Sequence, residues 1–296
     1  MMVGGKVQLQ WYRTPMAFRT LVSTSALALH LGDDNVAVVD CRFQLTDDAW
    51  GQREYVSAHI PGAVYAHLDR DLSGPKTGTN GRHPLPDPVA LADIFSRLGI
   101  ADGVQVVAYD QDNGSFASRL WWMLRWLGHD AVAVLDGGFA KWTAEGRDTR
   151  SGTETRARHT FSAAPRPEML ATVDQVDALR ADASWQLVDA RAPERFRGEV
   201  EPLDTVAGHI PGAANYCYQT NLDAEGSFRS PEELRAQLRG ALGDHPADRI
   251  VCYCGSGVTA CHNLLALEHA GLTGARLYAG SWSEWSSDPR RPVEKT

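Results

Sequence analysis

Apolar positions along this chain follow two alternating rhythms. Short runs rich in β-branched residues read as strands: Ala37 to Asp40, Val104 to Tyr109 and Ala131 to Leu135 in the first half, then Gln186 to Asp189, Arg249 to Tyr253 and Ala275 to Tyr278 in the second. Between them the spacing changes to a helical period over Ala90 to Leu98, Ala117 to Leu127, Pro231 to Leu242 and Val258 to Ala270. This alternation predicts an α/β fold, because a parallel strand pair needs a crossover that returns the chain over one face of the sheet. The expected architecture is a mostly parallel sheet with helices on both faces. The rhythm breaks from Asp148 to Glu168, a stretch of Ser, Thr, Gly and Pro with little apolar periodicity, which predicts a linker.

The chain also contains itself twice. Val39-Asp40-Cys41-Arg42 followed by His59-Ile60-Pro61-Gly62-Ala63 returns as Val188-Asp189-Ala190-Arg191 followed by His209-Ile210-Pro211-Gly212-Ala213. Val106 to Asp110 matches Ile250 to Cys254, and Gly137 to Trp142 echoes Gly280 to Trp285. A repeat of roughly 145–150 residues is too long for a solenoid unit and describes two copies of a whole domain. The expected division is residues 20–147, a linker over 148–168, and a second copy over 169–290. Trp121, Trp122 and Trp126 share helical spacing and are expected in core and inter-domain packing.

The candidate chemistry lies in the second copy. Arg249-Ile-Val-Cys-Tyr-Cys254 ends a predicted strand, Gly255-Ser256-Gly257-Val258-Thr259 follows, and a helical pattern then begins. Open α/β sheets bind ligands beyond the carboxyl ends of their strands, which is where Cys254 falls. Glycines at 255 and 257 allow backbone angles closed to other residues, so successive amides can turn inward as an anion nest at a helix N-terminus. A thiolate held there is expected to be stabilised. Cys41, Cys217, Cys252 and Cys261 lack that context and read as small buried hydrophobes. Five cysteines without regular spacing argue against a disulfide framework and for a reducing compartment.

Met1 to Arg19 lacks a continuous apolar core, and no apolar run approaches the length of a membrane span, so cytoplasmic residence is expected. A formal net charge of −8 gives no electrostatic case for nucleic acid or an acidic membrane. A phosphatase of the Cys-x5-Arg kind would need an arginine where Ala260 stands. A zinc site from Cys252, Cys254, Cys261 and His262 lacks the spaced Cys-x2-Cys pair. A binding module without chemistry does not explain the glycines and hydroxyls around Cys254.

The doubled domain, the paired Asp-x-Arg and His-Ile-Pro-Gly-Ala signatures and the Cys254 loop together resemble the tandem rhodanese sulfurtransferases, over roughly residues 20 to 290. The resemblance implies two rhodanese-like domains with catalysis in the second, because Asp110 stands where the first copy would carry its cysteine. It implies a ping-pong cycle in which Cys254 takes a sulfane sulfur as a persulfide and passes it to an acceptor such as thioredoxin, another thiol or cyanide, with no metal or organic cofactor. The loop is similar to that of the 3-mercaptopyruvate enzymes; the thiosulfate enzymes tend to carry basic residues where this chain has Gly255 and Ser256. By the same resemblance Ser256, His83 and Asp69 form a proton relay, and Arg195 or Arg197 receives the anionic end of the donor. The resemblance also implies that Gly255, Gly257, Val258 and Thr259 line the donor site. A second family arginine has no match; Leu203 stands at its place, which keeps thiosulfate as the alternative donor.

Overall fold

The structure, a computed structural model, describes residues 18–296. The reading of Met1 to Arg19 therefore lies almost wholly outside the described residues. The first half runs β1 (Leu21–Val22), α1 (Thr24–Ala28), β2 (Val36–Asp40), α2 (Trp50–Ser57), β3 (Val64–Tyr65), α3 (Pro88–Arg97), β4 (Gln105–Tyr109), α4 (Ala117–Trp126), β5 (Val132–Leu135) and α5 (Gly138–Ala144). The second runs α6 (Val173–Leu179), β6 (Gln186–Asp189), α7 (Pro193–Phe196), β7 (Ala214–Asn215), α8 (Pro231–Leu242), β8 (Ile250–Tyr253), α9 (Ala260–His269), β9 (Arg276–Leu277) and α10 (Ser281–Trp285).

Each half builds its own parallel sheet, in the orders β1-β5-β4-β2-β3 and β7-β6-β8-β9. The duplication is visible in the register: β2 pairs β4 as β6 pairs β8, and an isolated parallel bridge from Leu170 to Leu277 stands where β1 pairs in the first sheet. The central strands bury both faces, as a parallel sheet requires. Alternate residues of β2, β4 and β5, such as Val38, Val107 and Ala133, pack with Leu27 of α1 and Trp142 of α5. Their neighbours Val39, Val106 and Val134 turn to the opposite side. That side continues without a break into the second domain through Cys252, Leu264 and Leu265, with α4 packed on α9 between the two sheets. Trp121, Trp122 and Trp126 are buried in this shared core. The outer face of the second sheet packs against Val176 of α6 and Trp282 and Trp285 of α10.

The repeated signatures turn out to be structural stitches. Arg42 pairs with Asp40 at 2.6 Å and donates to the Ala58 carbonyl at 2.6 Å. Arg191 does the same with Asp189 at 2.6 Å and the Gly208 carbonyl at 2.7 Å. These buried bidentate pairs fasten each central strand to the segment leading into its His-Ile-Pro-Gly-Ala turn. Helix α8 begins and ends where the apolar pattern predicts, because Ser230 and Glu233 form a reciprocal capping box and Pro231 takes the first turn.

Candidate active site

The loop that leaves β8 is clamped from outside through its carbonyls. The Cys254 carbonyl accepts from the Trp282 N–H at 3.0 Å and the Gly255 carbonyl from the Ser283 N–H at 2.9 Å. The Gly257 carbonyl accepts from the Arg119 Nη1 at 2.9 Å. In a trans peptide the N–H points opposite the C=O, so these clamps turn the amides of Gly255, Ser256 and Val258 away from α10 and Arg119. Among the described residues, the hydrogen bond that reaches the Cys254 Sγ comes from the Gly257 N–H at 3.2 Å. The expected ring of amides is thus represented by one direct donor, ahead of the uncapped N-terminus of α9.

The two loop glycines serve different ends. Gly257 has φ +77, and a Cβ there would stand 2.3 Å from the Ala279 carbonyl oxygen, so the position excludes a side chain twice over. Gly255 has no positive φ; its constraint is space, since a Cβ would lie 2.8 Å from Arg82 Nη2. Ser281 holds φ 56, the left-handed region that disfavours a side chain. Its hydroxyl accepts from the Cys254 N–H at 3.1 Å and donates to the Tyr278 carbonyl at 2.9 Å. The repeat partner of this position is Gly138, with φ +58.

The first domain shows what such a loop holds. The Asp110 carboxylate accepts from the amides of Phe116 at 2.7 Å, Gly114 at 2.9 Å and Ala117 at 3.0 Å, so the strand–loop–helix of the first copy encloses its own anion. Burial raises the Asp110 pKa while these amides pull it down.

The first domain also supplies groups to the second. The His83 Nδ1 lies 2.7 Å from the Ser256 Oγ, and its Nε2 lies 3.4 Å from Asp69 Oδ1. A carboxylate only accepts, so the imidazole proton belongs on Nε2 and Nδ1 accepts from the Ser256 hydroxyl. Burial, then the charges of Arg119, Arg82 and Lys76, lower the His83 pKa to about 3, so the ring is neutral over the physiological range. Arg119 is fully buried; besides Gly257 it donates to the carbonyls of His83 at 2.8 Å and Leu72 at 3.2 Å. It therefore ties the cysteine loop to the segment bearing the histidine. No carboxylate among the described residues pairs with it.

Arg195 Nη2 pairs with Glu201 at 2.6 Å, and its terminal nitrogens lie 3.5 and 3.6 Å from the Cβ position of Gly255. Arg197, by contrast, is the C-cap residue of α7; its side chain is partly exposed and pairs with Glu199 at 2.7 Å. Val258 is buried, while Thr259 is the N-cap residue of α9 and its hydroxyl makes no capping bond. Leu203 is exposed. Burial pushes the thiols of Cys41 and Cys252 up, and that of Cys261 to about 12, so these three stay protonated and enclosed. The half-exposed Cys217 thiol is also raised by burial. His262 is engaged elsewhere, stacked on Phe228 at 4.4 Å with Nε2 on the Asn113 carbonyl at 2.9 Å. No group of three or more His, Cys, Asp or Glu among the described residues is placed to hold a metal ion. No helix among them is long and apolar enough to cross a membrane.

Two parallel α/β domains that share one core, with a cysteine at the end of a central strand in the second, define a tandem rhodanese fold. The rhodanese-like domain model matches residues 23–145 and 172–288, and the chain belongs to that family. It is 48% identical over 280 residues, 94% of this chain and 99% of the relative, to a Pseudomonas aeruginosa protein named probable 3-mercaptopyruvate sulfurtransferase. It is 36% identical over 279 residues, 90% of this chain and 92% of the relative, to the thiosulfate sulfurtransferase of Cricetulus griseus. Among solved structures, the 3-mercaptopyruvate sulfurtransferase from Leishmania major superposes with a TM-score of 0.82 at 33% identity, covering 93% of this chain and 76% of that one. The chain is a sulfurtransferase.

Proposed function

We propose that this enzyme moves a sulfane sulfur from 3-mercaptopyruvate to a thiol or cyanide acceptor through a persulfide on Cys254. The observation that carries the donor assignment is the Ser256–His83–Asp69 line, at 2.7 and 3.4 Å, two residues beyond the nucleophile. The Cys254 thiolate attacks the donor sulfur, forming the S–S bond as the C–S bond breaks and its electron pair leaves as the enolate of pyruvate. The proton of the donor thiol passes through the Ser256 hydroxyl and the neutral His83 and is returned to the enolate carbon. Asp69 orients the ring. The acceptor then attacks the terminal sulfur, and the Cys254 thiolate leaves in its original state. Thiosulfate expels sulfite, which has no enol to protonate, so it needs none of this relay.

Thiosulfate remains the second reading because two guanidiniums, those of Arg82 and Arg195, approach the position after Cys254. Steady-state kinetics on both donors separate the two. Mercaptopyruvate is expected to have the higher kcat/KM, and Ser256→Ala is expected to lower it at least tenfold while changing thiosulfate turnover less than threefold. A wild type that favours thiosulfate, with mercaptopyruvate turnover unaffected in Ser256→Ala, overturns both the relay and the donor assignment.

A further inference from the structure

The residue after Cys254 has no side chain, yet the space beside it is filled by positive charge from two domains. A Cβ built on Gly255 would stand 2.8 Å from the Arg82 Nη2 of the first domain and 3.5 Å from the Arg195 Nη2 of the second. The second domain fixes Arg82. Its backbone N–H donates to the Ser283 Oγ at 3.0 Å, and Gly81, with φ +84, packs so closely that a Cβ would meet the Gly280 carbonyl at 2.8 Å. Arg82 Nη1 pairs with Asp204 Oδ1, and Arg195 Nη2 lies 3.7 Å from Asp204 Oδ2. Asp204 is thus a carboxylate between two guanidiniums.

Two buried polar atoms in this cluster have no hydrogen-bond partner: Arg195 Nε and Asp204 Oδ2. Such atoms are costly to leave unpaired, so a donor left free on the arginine whose terminal nitrogens flank Gly255 marks a place for an acceptor. The cluster also has a charge pattern. Asp189, Arg191, Glu201, Arg195, Asp204 and Arg82 alternate in sign and form a neutral line, each in ionic contact with the next.

We propose that Arg82 is the second guanidinium of the donor site, gripping the oxyanion end of the sulfur donor together with Arg195, and that Asp204 sets how much negative charge that site accepts. The inference rests on the sulfur-transfer reading above and extends it to donor selection. It explains how the site works with Leu203 at the position of the missing arginine: the charge comes from the other domain instead of the adjacent loop. In the free enzyme Asp204 holds both forks in place. When a donor arrives, its oxyanion shares those forks with Asp204, and a dianion is repelled by that carboxylate more than a monoanion. The shared chemistry is a carboxylate or a sulfonate-like end, and Asp204 favours the carboxylate.

Alkylation of Cys254 tests this without sulfur chemistry. Iodoacetate and iodoacetamide attack the same sulfur and differ in one carboxylate, so the ratio of their rate constants, read by mass spectrometry on the Cys254 peptide, reports the anion site alone. Arg82→Ala is expected to lower the iodoacetate-to-iodoacetamide ratio at least fivefold, Arg82→Lys to give an intermediate value, and Asp204→Asn to raise it at least threefold. The iodoacetamide rate in each variant is the internal control for an intact loop. In Asp204→Asn the kcat/KM for thiosulfate relative to mercaptopyruvate is expected to rise at least fivefold. A ratio within twofold of wild type in Arg82→Ala, or a fall in Asp204→Asn, overturns the proposal even if both donors are turned over. Ratios that move as stated while neither donor is used overturn the sulfur-transfer reading and leave the anion site standing.

Discussion

Arg119, on a first-domain helix, bonds the carbonyls of Gly257 in the second domain and of His83 and Leu72 in the first, and Arg119→Met isolates what that link contributes. Methionine is unbranched and flexible enough to fill the same channel through α4, so the substitution removes charge and hydrogen bonds with little change in volume. Three charge-assisted bonds disappear, to the carbonyls of Gly257, His83 and Leu72. Bonds to a charged donor contribute about 1.5–3 kcal/mol each. Against this, a fully buried guanidinium without a carboxylate partner carries a desolvation cost of several kcal/mol that the variant relieves. The net loss of stability is therefore modest, about 2–4 kcal/mol.

The effect on catalysis is larger than that figure suggests. Losing the Arg119 bond to its carbonyl loosens Gly257, whose own N–H, on the preceding peptide, meets the Cys254 Sγ at 3.2 Å, and losing the bond to the His83 carbonyl loosens the proposed relay. A misplacement of about 1 Å at a reacting centre costs on the order of a hundredfold. Arg119→Met is expected to lower single-turnover persulfide formation by about two orders of magnitude, measured by stopped flow on protein whose folded fraction is fixed by urea titration. Arg119→Lys, which keeps the charge but not the fork, should recover stability more than rate. If Arg119→Met loses stability as stated but forms persulfide within threefold of wild type per folded molecule, the positioning argument is wrong.

The other expected outcomes follow from the same geometry. Asp110→Ala leaves turnover per folded molecule unchanged but strands the buried amides of Gly114, Phe116 and Ala117, at a stability cost of about 2–4 kcal/mol read from urea unfolding; a large loss of turnover would place the Asp110 loop itself in the chemistry. Burial holds His83 at about 3 and His262 at about 4, below their unfolded value, so the unfolded chain binds more protons and stability falls as pH drops below about 6.5. Each of these histidines contributes up to about 1.4 kcal/mol per pH unit in that window. His262→Gln should therefore lose less stability than wild type between pH 7.5 and about 5, and an equal loss would contradict the assignment.

Strands buried on both faces and long amphipathic helices were legible because their residues advertise a period: β6 and α8 carry the bounds their apolar patterns predict. The edge strands β1, β3 and β7 were not, since two residues cannot establish an alternation. Within the site, Cys254, Ser256 and His83 could be named from motifs, and the structure brings all three together with Asp69. The family motif pointed to Arg195, with Arg197 left as the alternative because two residues of spacing do not tell which side chain approaches the loop; the terminal nitrogens of Arg195 do so, while Arg197 pairs with Glu199. Arg82, Arg119 and Asp204 act across the domain interface, which no local pattern encodes. One signal was available for Arg119, a lone charge within the apolar run Ala117 to Trp122, whose neighbours all face the core. Ser281 was hidden for a similar reason: its role follows from a backbone angle that its glycine counterpart adopts freely.

The proposed passage of sulfur through Cys254 alone is decided by intact-mass and peptide mass spectrometry after brief exposure to 3-mercaptopyruvate without an acceptor. One added sulfur per chain is expected, mapped to the peptide containing Cys254, removed by cyanide or a thiol, and absent from Cys254→Ser. A sulfur retained on Cys217, Cys252 or Cys261, or turnover of donor by Cys254→Ser, would contradict it.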